Sequence, residues 1–167
     1  GTGSGKEGLR SVVKDVLKAA DDVEAETSAA SDIGLLRKLE KKQNAIWIPD
    51  EFGRALKSAS NPSGGHQYAL LTLVMKMYGL AFSSTEPRDY ANEKQNIAPI
   101  EHPYLSVMAT ATRNSVTDAM TSEEVVGGTL NRFIVIPNNE KMPPFRDGKP
   151  AVMDDEMKRA IYNLSKN

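Results

Sequence analysis

The chain opens Gly1-Thr2-Gly3-Ser4-Gly5-Lys6-Glu7, and the reading of these residues decides the fold. Alternating glycines let consecutive backbone N–H groups curl around phosphate oxygens. A lysine adds a point charge, and a helix beginning directly behind adds the partial positive end of its dipole. That is the logic of the phosphate-binding pattern G-x-x-x-x-G-K-[ST]. Two departures stand in this sequence. The first glycine of the pattern would fall one residue before Gly1, so on this reading the chain would open inside the motif, after the strand that normally feeds it. Position 7 holds Glu7 in place of the Ser or Thr whose hydroxyl usually ligands Mg²⁺. A Gly-Ser-rich start is also what an expression tag leaves behind. The loop alone leaves both readings open; a second motif downstream favours the nucleotide.

From Gly8 to Ala20, the residues Leu9, Val13, Val16, Leu17 and Ala20 recur at helical spacing, giving the helix that a phosphate loop requires behind it. Asp21-Asp22-Val23-Glu24 closes it. Ser31-Asp32 then caps a second helix with Leu35, Leu36 and Leu39 on one side. Arg37, Lys38, Lys41 and Lys42 crowd its end. They read as a solvated face near a helix C-terminus, where cations are favoured, in preference to a DNA-binding patch.

Asn44-Ala45-Ile46-Trp47-Ile48-Pro49-Asp50-Glu51-Phe52-Gly53 is the second motif. A short apolar run of mostly β-favouring residues ends in two carboxylates, as a buried strand does when it delivers acids to the C-terminal edge of a sheet. Ligands bind at that edge in open α/β sheets. Asp50 suits a Mg²⁺-coordinating role, usually through water, and Glu51 suits the carboxylate that orients and deprotonates an attacking water. A lone Asp-Glu pair after a strand would read as a helix cap. Behind a glycine-rich G-K loop, in the expected order, it reads as nucleotide chemistry.

Residues 54–60 continue as a short helix, and Asn61-Pro62-Ser63-Gly64-Gly65 is a turn cluster. Gln67 to Tyr78 is apolar almost all round, as in a buried helix. Ser83 to Pro99 is a long polar loop holding Arg88, Tyr90 and Lys94, of the kind that is usually functional or mobile. Tyr104 to Ala109 reads as a second buried strand ending in Thr110, Thr112 and Arg113, which would point into the same crevice as Asp50. Ser115 to Val126 reads as a helix broken by Gly127-Gly128. Phe133-Ile134-Val135-Ile136 reads as a third strand, Pro137 to Pro150 as a connector, and Met153, Met157, Ala160, Ile161 and Leu164 as one side of a terminal helix.

The 167 residues suit one domain, with a core over 1–137 and a connector plus helix over 138–167. A net charge of −1 provides no global field for nucleic acid, so any DNA contact is local. The absence of cysteine excludes disulfides, Cys-ligated zinc and thiol catalysis. His66 and His102 form no ligand pair at helical spacing. No apolar run approaches a membrane span and the start is too polar for a signal peptide, so a cytoplasmic location and no membrane partner are the default.

Five segments together carry a resemblance: G-T-G-S-G-K-E, A-S-D-I-G-L-L-R-K-L, I-W-I-P-D-E-F-G, P-Y-L-S-V-M-A-T-A-T-R and G-G-T-L-N-R-F. In order and spacing they resemble the P-loop ATPase domain of phage- and plasmid-type primase–helicase proteins, a RecA-like group, over roughly residues 1–136. The resemblance implies a three-layer α/β sandwich on a mainly parallel sheet, and a motor module that hydrolyses ATP with Mg²⁺ during DNA replication. Its partners would be single-stranded DNA and further copies in a ring. Gly1, Thr2, Gly3, Ser4, Gly5, Lys6 and Glu7 would hold the nucleotide, with Lys6 on the β/γ-phosphates. Asp50, with Glu7 as a second candidate, would hold the metal, and Glu51 would activate water. Thr112 or Arg113 would sense the γ-phosphate. Arg132 is the candidate arginine finger, anchored at the start of the third strand and acting on a neighbour's nucleotide; a surface arginine paired with a carboxylate is the plainer alternative. Two rival functions stay open, a remodelling or switch ATPase that acts on protein and a degenerate P-loop domain that binds nucleotide poorly.

Overall fold

The computed structural model describes residues 6–20, 24–26, 29–59, 63, 65–120, 128–137 and 153–166, and of positions 6, 7, 24–26, 59 and 130 the backbone alone. The described elements are α1 (Lys6–Ala19), β1 (Glu24–Glu26), α2 (Asp32–Lys41), β2 (Asn44–Trp47), α3 (Phe52–Ala59), α4 (His66–Met77), β3 (Tyr104–Val107), α5 (Arg113–Met120) and α6 (Asp155–Ser165). The strands form one sheet in the order β1-β2-β3. Both pairings are parallel, with Ile46 opposite Ala25 on one side and Ser106 on the other. Helices connect the parallel strands, as parallel pairing demands. The architecture is mixed α/β, with β2 at the centre.

Local chemistry explains the helix starts. Ser31 has extended backbone and its hydroxyl accepts the Gly34 N–H at 3.1 Å, so α2 begins on a side-chain cap. Leu35, Leu36 and Leu39 then fall on one face and are buried. They pack with Leu70, Leu71, Leu73, Val74 and Met77 of α4 and with Ala45 and Trp47 of β2 in the main core. Each fully buried leucine contributes about 1.5–3 kcal/mol against exposure. Ile46 and Ile48 alternate to the opposite side of the strand. Ile48 is buried there outside the main cluster, as is Leu17 of α1.

Several sequence expectations are revised. The acidic stretch after α1 leads into β1, a three-residue strand that hydrophobic patterning does not announce because it reads Glu-Ala-Glu. The strand at Tyr104–Val107 is half-buried, with Tyr104 58% exposed, because among the described residues it pairs only with β2. Phe133–Ile136 forms no ladder among the described residues. Ile134 is 93% and Ile136 87% exposed, and the segment faces β3 across a groove of about 470 Å³. β-propensity measures fit to a pleated, half-buried surface, and no neighbouring strand among the described residues supplies one here. The terminal helix is present as α6, but Met157 and Leu164 are exposed. In α1, Leu9 is also exposed. Residues 121–126 of the expected helix, Gly127, and the connector over 138–150 lie outside the described residues.

The loop from Ser83 to Pro99 is tied down. Arg88 and Ile97 exchange backbone hydrogen bonds at 3.0 Å each, and Thr85 N–H donates to Ile100 O at 3.1 Å. Ile97 and Ile100 are buried. Arg88 also reaches the start of α2, where Nη1 lies 2.6 Å from Asp32 Oδ2. Burial by itself would raise the Asp32 pKa, but the Arg88 hydrogen bond and charge and the Ile33 N–H outweigh it and hold the carboxyl below its ordinary value. A depressed carboxyl pKa contributes stability above the unfolded value and loses it as pH falls through the folded value. Arg88→Gln should therefore cost about 1 kcal/mol near neutral pH, allowing for solvent around the guanidinium, and flatten the loss of stability below pH ~4. Thermal melts of both proteins across that range check it; parallel acid curves would contradict the pairing.

Candidate functional site

The C-terminal ends of β2 and β3 converge on one place. After Trp47 the chain passes through Ile48 and Pro49 to Asp50 and Glu51, and α3 starts at Phe52. Phe52 N–H donates to Thr110 O at 3.1 Å, which fastens this turn to the segment leaving β3. Glu51 has a φ of 46°, a left-handed conformation that costs energy for any residue with a β-carbon. The sharp turn sets both acids on the surface beyond the strand end.

A second tie comes from α1. Arg10 Nη1 lies 3.2 Å from Asp50 Oδ2, and Nη2 donates to Ile48 O at 3.4 Å. The other oxygen of Asp50, Oδ1, accepts the Glu51 N–H at 2.9 Å. Arg10 is 11% exposed in its side chain, whereas Asp50 is 60% exposed. Glu51 meets its own cation, Arg54 Nε, 2.8 Å from Oε2. That pair is solvated on both sides and is worth little. Each acid is thus met by an arginine, one nearly buried and one on the surface.

α1 begins at Lys6, and Arg10 lies four residues on, one turn or about 6 Å along the axis. The fold therefore joins the start of this helix to the acidic strand tip. Of the loop residues expected to hold a nucleotide, Gly1, Thr2, Gly3, Ser4 and Gly5 lie outside the described residues, as do the side chains of Lys6 and Glu7.

At the β3 tip the candidates separate. Thr112 caps α5: its hydroxyl oxygen accepts the Ser115 N–H at 3.3 Å and lies 2.9 Å from the Ser115 hydroxyl. Arg113 is exposed at the first position of α5. Thr110 has a buried hydroxyl with no hydrogen-bond partner among the described residues. Arg132 stands elsewhere. It ends a short 3₁₀ turn (Leu130–Arg132), donates from Nη1 to Gly128 O at 2.6 Å, and lies 5.6 Å from the centre of the Tyr78 ring. The expected strand anchor behind it is absent from the described residues; Phe133 instead packs on Phe52, ring centres 5.2 Å apart. Among the described residues a carbonyl and an aromatic face, and no carboxylate, are the partners of Arg132.

A divalent cation fits this tip in part. No group of three or more acids or histidines among the described residues is arranged to hold a metal alone. Mg²⁺ is nevertheless commonly held by one or two carboxylates plus substrate phosphates. Asp50 and Glu51 supply that number, at the surface.

Sequence reasoning overlooked Arg10 and Gly53. Arg10 carries a signal: it shares the stripe of Val13 and Leu17 at i+3 and i+7, an unusual place for a cation. Gly53 shows itself only in three dimensions, where a β-carbon would overlap the Ser115 hydroxyl and come within 2.8 Å of the Ser115 carbonyl carbon.

Comparison of the chain with protein-family models, curated proteins and solved structures finds no match. Among the described residues no helix is long and apolar enough to cross a membrane. The functional reading rests on the residues and their geometry.

Proposed function

We propose that this chain is the ATP-binding and ATP-hydrolysing motor module of a DNA replication helicase or primase–helicase from a mobile element, on a RecA-like P-loop sandwich. One observation carries the reading: the helix that starts at Lys6 is fastened, one turn in, to Asp50 and to the Ile48 carbonyl at the tip of the central parallel strand. A phosphate-binding loop and an acidic strand tip need that proximity to act on one nucleotide.

In this reading the backbone of Gly1 to Gly5 and the Lys6 ammonium bind phosphate oxygens. Asp50 faces the cation, with Glu7 as a second ligand. Mg²⁺, when bound, supplies charge neutralisation on the phosphates. Glu51 orients water and takes its proton. Arg113 is the γ-phosphate sensor better placed to reach out, since the Thr112 hydroxyl is committed to its cap. Arg132, exposed, stays the candidate for a neighbouring subunit's nucleotide in a ring. Single-stranded DNA is the polymer it would move along.

Lys6→Ala is expected to weaken MgATP binding at least tenfold, since it removes a charge-assisted phosphate contact, and to leave the fold intact. Calorimetric titration with MgATP and circular dichroism check this; undiminished affinity would sink the phosphate-loop assignment. Single-stranded DNA should raise turnover. ATPase activity indifferent to DNA would favour a remodelling ATPase with a protein partner.

A further inference from the structure

We propose that Arg10 is a positioning residue that gates the cation site, its guanidinium holding the Asp50 oxygen that a divalent ion would otherwise take. The inference rests on the nucleotide reading of Asp50 and deepens it by naming what sets the site's metal affinity.

The two partners are unequal. Arg10 approaches from inside, on the stripe of α1 shared with Val13 and buried Leu17, and its side chain is 11% exposed. Its guanidinium brings a positive charge to the inner side of the strand tip. Asp50 is 60% exposed and faces the solvent from which a cation arrives. Its two oxygens are differently held, Oδ1 by the Glu51 N–H at 2.9 Å and Oδ2 by Arg10 Nη1 at 3.2 Å. Arg10 also has a fallback, the Ile48 carbonyl 3.4 Å from Nη2, which keeps the side chain near the tip when Asp50 turns away. Arg54 does not serve the same end at Glu51, because that side chain is 82% exposed and exchanges freely with water.

A fixed positive charge beside a carboxylate repels a dication seeking the same oxygen. At such distances the effect amounts to about tenfold in affinity even with substantial solvent screening. The sign is what identifies a gate. Loss of a merely structural arginine would weaken metal binding or leave it unchanged; loss of a competing one strengthens it.

The test is a titration of Mn²⁺, followed by electron paramagnetic resonance, into protein with the nonhydrolysable analogue AMP-PNP. Arg10→Gln, which keeps a hydrogen-bond donor but no charge, should bind Mn²⁺ about tenfold more tightly than wild type. Arg10→Lys keeps the charge and should stay within about twofold of wild type. Equal or weaker binding by Arg10→Gln overturns the gate. Wild-type protein that binds no Mn²⁺–nucleotide, or binding that Lys6→Ala leaves untouched, overturns the nucleotide reading and the gate with it. Should Arg10→Gln fail to fold, wild-type protein decides. The ¹⁵N-detected Nε–H signal of Arg10 must move when Mg²⁺ is added to the nucleotide-loaded chain, and a signal that stays in place refutes the displacement.

Discussion

Glu51→Gln is expected to bind ATP with undiminished affinity and to hydrolyse it slower by about a hundredfold or more, the usual contribution of a positioned general base. Glutamine keeps the shape of the side chain and an oxygen for Arg54, but it cannot take a proton from water. Stability should hardly change, because the Arg54 pair that is weakened is solvated on both sides. The left-handed backbone at Glu51 is equally open to either residue. Single-turnover hydrolysis together with a melting curve separates the two effects. Normal turnover in the variant would mean that another residue polarises the water, and Glu7 is the next to examine.

Gly53→Ala should be the most crowded alanine replacement among the described glycines. The added methyl group would overlap the Ser115 hydroxyl and meet the Ser115 carbonyl carbon at 2.8 Å, and a carbonyl carbon cannot rotate aside. α3 and α5 must then move apart. Overpacking of this kind costs about 1–3 kcal/mol. For a chain of this size that corresponds to a melting temperature lower by roughly 2–10 °C. Gly53 lies two residues beyond Glu51, so the displacement also shifts the acid that turnover depends on, and activity should fall with stability. Ser115→Gly in the same chain removes the hydroxyl and β-carbon but not the carbonyl carbon, so it should restore part of the loss. A double-mutant cycle with no coupling between the two sites would contradict the contact.

What the sequence made legible follows from where its signals are local. Ser31 caps α2 and Leu35, Leu36 and Leu39 are buried, because capping and helical periodicity act within a few residues. The strand at Asn44–Trp47 and the acids behind it were readable for the same reason. The rest depended on neighbours. Phe133–Ile136 has the composition of a strand, but composition does not supply a partner strand. The loop around Arg88 read only as long and polar because its ties are backbone pairs such as Arg88 with Ile97 and the Asp32 carboxylate 56 residues away, none of which leaves a local pattern. Thr112, expected with Arg113 as a candidate γ-phosphate sensor, also caps α5 through the Ser115 N–H, a contact its residue type alone does not announce. Arg10 drew no reading from the sequence because its partner stands at the strand tip, far along the chain.

The groove between β3 and Phe133–Ile136 has a consequence for how the protein behaves in a tube. Among the described residues β3 has one hydrogen-bonded neighbour, and Ile134, Val135 and Ile136 stand in solvent across from it. Open strand edges beside aliphatic runs are where unrelated copies of a chain stick. A formal net charge of −1 near neutral pH leaves little colloidal repulsion to keep copies apart. This corner is therefore one place where copies would associate. Added salt screens the small repulsion that remains, so concentrated stocks should keep better a unit or two of pH above neutrality than in high-salt buffer at the isoelectric point.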